Sequence, residues 1–250
     1  DWGDIWFVKK NRPVMVRTDG TVDYELNHEN HALKLNGGAS DITKTSYGGN
    51  AMSEIPLIWV KRWTQNNYHF VVFCEEQYDD TYKAYAHTDA DGNVLPVTYF
   101  PMYEGSVVNS RMRSLSGLTP TASMTDEQET TAAKQNGDRW DKQSFSEINL
   151  MYEMCTMITC STNSQGKFGN GNSQSDNFLQ TGTLNGKGQF FGYTSTTQAV
   201  KVFYCENFFA NYWKRLRGLL LINGVYHVKA VPPYNSTGAG YTNTGLTPSG

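Results

Sequence analysis

Residues 14–18 and 21–26 carry apolar side chains on both sides of Asp19-Gly20, and so predict an N-terminal β-hairpin. Runs 55–63 and 68–75 are rich in Trp, Val, Ile and Phe, and predict a second strand pair turning at Gln65-Asn66-Asn67. Residues 82–87 and 94–99 predict a third hairpin around Asp91-Gly92. The period then changes. Thr125 and Gln128 stand at capping-box spacing, with Asn136-Gly137 as a stop, and Ser144 and Glu147 repeat that spacing. Beyond the second start, Ile148, Met151, Cys155 and Ile158 recur at helical steps with Met154 beside them, the core-facing stripe of a second helix.

Residues 200–231 are the stretch around which the rest is expected to pack. Phe208, Phe209, Tyr212 and Trp213 crowd into a knot whose rings are predicted to be mostly buried, each removing roughly 150–250 Å² from water. Asn211 is expected to pin that knot by hydrogen bonds to backbone. After Lys214, Arg215 and Arg217 come the apolar residues 219–222, the turn pair Asn223-Gly224 and an alternating run at 225–231, which together predict a hairpin. On that last run Tyr226 and Val228 share one face, and Val225, His227 and Lys229 share the other; the pattern leaves open which face covers the core.

Between these elements lie polar, Gly- and Asn-rich stretches. Residues 27–53 read as a long ordered surface loop, and 161–188 as a long excursion with only Phe168, Phe178, Leu179 and Leu184 as anchors. At least one of the two is expected to be ordered by a neighbouring subunit. Residues 189–193 return as a strand. The expected division is an N-terminal hairpin and loop over 1–53, a main domain over 54–233, and a flexible tail or linker to a further module over 234–250. Strands, then helices, a long loop and strands again make an α+β pattern.

Composition narrows the function classes. The formal charge of −3 argues against a nucleic-acid partner, which selects a basic surface. No apolar run is long enough to span a membrane, so no membrane insertion is expected. Aromatics reach 13%, with 15 Tyr among abundant Gly, Asn, Ser and Thr, the composition of adaptable binding surfaces. The four cysteines, Cys74, Cys155, Cys160 and Cys205, show no metal or redox spacing and are expected as interior free thiols. No G-x-S-x-G occurs, and the five His show no metal-motif spacing. His28 and His31 stand three apart but within loop sequence, so no metal and no cofactor are expected there.

The run Asn207-Phe208-Phe209-Ala210-Asn211-Tyr212-Trp213 is similar to the D-M-x-G-N-V-W core of the formylglycine-generating-enzyme branch of C-type-lectin-like folds. It departs from that core at Ala210, where the family has Gly, and at Asn207, where it has Asp. From Glu206 to Arg215 the chain more closely resembles the E-N-x-W-G-N-x-W-R-R run of tail or virion structural proteins from phages of gut bacteria. Trp59-Val60-Lys61, Ala84-Tyr85-Ala86-His87, Phe100-Pro101-Met102 and Arg111-Met112-Arg113-Ser114-Leu115-Ser116-Gly117 match that group in order and spacing.

The resemblance implies an α+β, C-type-lectin-like domain with mixed and antiparallel sheets, β-hairpins and two helices. It implies a non-enzymatic virion structural protein of the tail or another external part, assembled in the bacterial host cytoplasm as a homo-oligomer beside other virion subunits. A host cell-surface glycan or protein is the implied ligand. A structural component without ligand is the alternative. The oxidase branch places cysteines downstream of its core, and none follows Cys205 here; the calcium-lectin motifs E-P-N, Q-P-D and W-N-D are absent too. The fold is therefore implied without either chemistry. Tyr226, His227, Tyr234, Asn235, Tyr241 and Asn243, with Tyr193 and Thr194, are the expected ligand- or partner-binding residues, since Tyr gives rigid contact area and Asn adapts its hydrogen bonds. A flexible linker is the other reading of the segment beyond Pro233.

Overall fold

A computed structural model describes residues 2–173, 177–192 and 196–248. The chain is α+β, with mostly antiparallel strand pairs and α-helices at Trp6–Lys10, Asp126–Lys134, Phe145–Thr159 and Ser164–Phe168. No helix among the described residues is long and apolar enough to cross a membrane. Two compact units divide it, each assembled from separated pieces of chain.

The first unit comprises Asp1–Ile55, Tyr99–Lys142 and Cys155–Arg215. Its sheet orders the strands Val22–Glu25, Arg12–Arg17, Gly49–Pro56 and Val97–Pro101. The predicted hairpin at Asp19-Gly20 is present, pairing Val14 with Glu25 and Met15 with Tyr24. The unbroken Val14-Met15-Val16 run has a simple cause: both faces of its strand are covered. Met15 joins Leu26, Ile42, Met102 and Leu115 on one side, while Val14 and Val16 meet Met52 on the other. Each such side chain contributes about 1.5–3 kcal/mol by leaving water. The capping box at Thr125 and Gln128 starts Asp126–Lys134 as predicted.

Several expectations are corrected in this unit. Residues 49–53 are not loop but the start of the strand Gly49–Pro56, so the boundary expected at 53 falls inside a strand. The rest of the loop is held by its own unit: the Arg113 guanidinium donates to the carbonyls of Thr45, Tyr47 and Gly49, and Ile42 is buried. Trp213 was expected inside and stands fully in solvent, whereas Phe208 and Phe209 are buried as expected. Asn211 does bond to backbone, accepting from Leu179 N at 2.9 Å. Cys155 and Cys205 are buried, but Cys74 is half-buried and Cys160 exposed. Cys160 follows the helix end in the left-handed conformation, φ 49°, which turns it off the core-facing stripe.

The second unit comprises Pro56–Thr98, Gln143–Met154 and Leu216–Gly250. The strands Trp59–Gln65 and Tyr68–Cys74 form a two-stranded ribbon turning at Asn66 and Asn67, both with positive φ, as a tight two-residue hairpin requires. Leu219–Ile222 and Val225–Val228 pair around Asn223-Gly224 as predicted. Ser144 and Glu147 make their reciprocal capping bonds at the start of Phe145–Thr159. The hairpin expected around Asp91-Gly92 is reduced to its turn and one antiparallel bridge, and the strand expected over 82–87 does not form. Asp89 gathers the amides of Asp91 and Asn93 into a local turn, and only Thr88 and Val94 pair across it. Tyr85–His87 becomes a 3-10 turn instead.

The flexible tail expected beyond residue 233 is also corrected over its described part. Thr242–Asn243 adds a third strand to the C-terminal sheet, and Tyr226 N donates to Leu246 O at 2.8 Å. Its polar residues order it locally: Asn235 Oδ1 accepts from Thr237 N, and Asn243 Oδ1 from Gly245 N. Side-chain turns replace the apolar anchors that the segment lacks.

Candidate functional site

The first unit buries an unusual amount of charge. Glu104 is almost enclosed, and its Oε2 accepts from the Asn207 amide at 3.0 Å and the Asn211 amide at 2.5 Å. The Lys214 ammonium lies 3.6 Å from the other carboxylate oxygen and donates to Asn207 O at 2.5 Å. That explains Trp213. The Lys214 side chain turns to the buried carboxylate, which needs a cation more than a pocket needs an indole, and Trp213 is left in water. Burial pushes Glu104 up and Lys214 down from their ordinary values, while their pairing opposes both shifts.

A second cluster lies at Glu206. Its carboxylate accepts the backbone amides of Gly182 and Leu184, each at 2.7 Å, which ties the polar excursion to the aromatic stretch. Buried Lys201 donates to Leu184 O and faces His31 Nδ1 at 3.4 Å. Burial pushes Glu206 up, lowers Lys201 to about 8, and lowers His31 to about 3. His31 and Lys201 are both fully enclosed. A general acid or base must reach the proton that it moves, and these groups instead hold loops. His28 turns elsewhere, bonding Glu25 and the Tyr204 hydroxyl, so it does not converge with His31. Among the described residues no group of three or more His, Cys, Asp or Glu is placed to hold a metal.

The second unit has open features. A cleft of about 200 Å³ is floored by Val60, Leu150 and Val228, with Tyr85 and Lys83 exposed at its edge. The Lys83 ammonium has no acidic partner among the described residues. Arg62, which also lines the cleft, is committed to Glu153 through two bonds of 2.6 and 2.7 Å.

The two-stranded ribbon presents an aromatic face. Trp59, Trp63, Tyr68 and Phe70 lie on one side of it by register and alternation. Trp63 and Phe70 stack with centroids 4.8 Å apart and planes 8° from parallel. Tyr68 is 71% exposed, and the stacked pair just under 40% each.

Six of the eight expected binding residues lie together at the C-terminal sheet and its loop. His227 pairs with Asn243, and Tyr226 is the neighbour of that pair on the same strand. Tyr234 receives the Arg217 guanidinium at its carbonyl, and the Tyr241 hydroxyl donates to Asn235 O. Asn243 is exposed and the other five are half-buried. Their polar groups are largely spent on each other's backbone, and of the C-terminal strand only Val228, on the Tyr226 face, reaches the cleft. Tyr193 and Thr194 lie outside the described residues. The aromatic face of the ribbon is absent from the expected set. Its signal was the strand Tyr68–Cys74 itself, seven residues without a formal charge.

No family model matches the chain, and no curated protein and no solved structure matches it.

Proposed function

We propose that the chain is a structural subunit of a phage virion, in the tail or another external part, that assembles with further subunits and takes part in attachment to the host surface. The observation that carries this reading is the amount of aromatic surface left in water. Trp213 is fully exposed, and Trp63, Tyr68 and Phe70 share one open face of a ribbon. A contiguous exposed apolar face marks an interaction site more often than it marks idle surface. The titratable clusters support a non-enzymatic role, since their charged groups are engaged in holding loops.

A C-type-lectin-like fold is part of the same proposal. It is supported by the antiparallel hairpins, the two capped helices and the long pinned excursion. It is also supported by Ala210, whose φ of 68° is a conformation that favours glycine, at the position where the resembled enzyme branch has glycine. Attachment to a glycan or protein of the host would use the cleft of the second unit, where exposed Tyr85 and Lys83 flank an apolar floor.

The test is made on purified particles and purified protein. Mass spectrometry of particles is expected to find the chain at a fixed copy number. Labelled protein is expected to bind host cells and to lose binding in the variant Tyr85→Ala. Particles that lack the chain would refute the virion assignment. Unchanged binding by the variant would remove the cleft from attachment.

A further inference from the structure

We infer that the edge strand Tyr68–Cys74 is a self-pairing surface, which joins two copies of this chain into one four-stranded antiparallel sheet. The inference rests on the subunit-assembly reading above and names the surface that performs it.

The ribbon is a two-residue hairpin closed by Gln65 and Tyr68. In such a hairpin the closing residues exchange backbone hydrogen bonds, and alternate pairs do so along the ladder. Trp63 with Phe70, and Lys61 with Val72, are therefore bonded pairs. His69 and Val71 fall in the other phase, so their N–H and C=O groups point away from the ribbon. The opposite strand confirms the phase: Val60, in step with them, points outward and exchanges two 2.9 Å bonds with Lys83. His69 and Val71 have no such backbone partner among the described residues.

An open edge of this kind is normally blunted by charge, proline or a bulge. Here Tyr68–Cys74 contains no Lys, Arg, Asp, Glu, Pro or Gly, and its register with the neighbouring strand has no irregularity. An isolated two-stranded ribbon is marginal in water and gains from further strands. The ribbon is exposed on both faces from Arg62 to Val71.

The strand is complementary to itself. With His69 opposite Val71 of the second copy, Val71 lies opposite His69 and Phe70 opposite Phe70, about a two-fold axis. The outward groups of His69 and Val71 then make four backbone hydrogen bonds. Phe70 meets its own copy at a non-bonded position, where side chains approach most closely. The Trp63–Phe70 stack on each copy becomes one continuous aromatic cluster, and Tyr68 covers Val72. Lys61 and Arg62 sit on the outer strands, three strand spacings or roughly 14 Å from those of the second copy, so no like charges oppose each other.

The full chain, carrying Cys160→Ser to remove the exposed thiol, is the parent for the test. Its mass by light scattering is expected to be twice the 28.1 kDa of one chain. Val71→Pro deletes an outward N–H and leaves the bonds within the ribbon intact. It is expected to give single-chain mass with an unchanged circular dichroism spectrum. Phe70→Cys is expected to form an intermolecular disulfide under mild oxidation, because opposed non-bonded positions fall within disulfide reach; Thr64→Cys on the far strand is expected not to.

A dimeric parent whose Val71→Pro variant stays dimeric, with no crosslink at Phe70→Cys, would overturn the edge assignment and leave assembly through another surface standing. A parent that remains a single chain at the highest attainable concentration would overturn it as well. Should Val71→Pro fail to fold, the Phe70→Cys crosslink decides alone. The virion assignment fails on a separate readout, the absence of the chain from particles.

Discussion

The Lys214 ammonium lies 3.6 Å from the Glu104 carboxylate, while the neighbouring Trp213 stands in water. The knot is therefore centred on a charge pair and two Asn amides rather than on the indole. Trp213→Ala is expected to leave stability within about 0.5 kcal/mol of the parent, as exposed substitutions do. Glu104→Ala takes the shared acceptor from the Asn207 and Asn211 amides and is expected to cost about 1–3 kcal/mol, while the partly exposed Lys214 ammonium keeps its water. Urea denaturation of the two variants checks both. The reverse order would place the indole in the core.

Much of the fold was legible because turn and cap chemistry is local. Asp19-Gly20, Asn223-Gly224 and the boxes at Thr125 and Ser144 act within four residues, and each formed as read. Trp213 was not legible because which neighbour turns inward was decided by Glu104, more than a hundred positions away in sequence. The strand lost at 82–87 failed for a related reason. Its partner residues joined the four-stranded sheet at Val97–Pro101, and the turn that holds Asp91-Gly92 kept only the bridge of Thr88 with Val94. Of the candidate sites, the residue types were visible at 226–243. The open backbone groups of His69 and Val71 were not, since sequence shows a strand but not what lies beside it.

Glu206 anchors the excursion by accepting two backbone amides at once. Glu206→Gln keeps the shape but turns an NH₂ towards one of those donors. One buried amide then lacks an acceptor, at a cost of about 1–3 kcal/mol. Amide exchange is expected to speed up at Gly182 and Leu184 while the strand Arg12–Arg17 stays protected. Uniform acceleration throughout the chain would show that Glu206 supports the whole fold rather than this loop.

Ala210 holds φ at 68°, where an L side chain carries a steric penalty of about 1–2 kcal/mol. Glycine removes that penalty but gives the unfolded chain more freedom, worth about 0.4–1 kcal/mol. Ala210→Gly is thus expected to raise stability by about 0.5–1 kcal/mol, read as a higher urea midpoint at unchanged slope. A lower midpoint would mean that the packing of the Ala210 methyl outweighs its strain.

His87 is buried, and its Nε2 accepts the Ile58 amide at 3.3 Å. Protonating Nε2 would set two N–H groups against each other, and burial disfavours the cation besides. Burial lowers the imidazole to about 4 from its ordinary 6.5. The unfolded chain therefore binds more protons than the folded one between those values. The contribution is fully present above pH 6.5 and is lost as pH falls towards 4, a swing of about 3 kcal/mol. His31 shifts in the same direction, while buried Glu104 and Glu206, held up by burial, act in the opposite sense. The total slope is thus ambiguous, and the comparison with a His87→Gln variant isolates the one group. Gln retains an acceptor for the Ile58 amide and does not titrate. The stability gap between parent and variant, measured in urea at pH 7 and pH 4.5, is expected to move by about 2–3 kcal/mol in favour of the variant at the lower pH. A gap that stays constant would mean that His87 takes up its proton in the folded chain as readily as in the unfolded one.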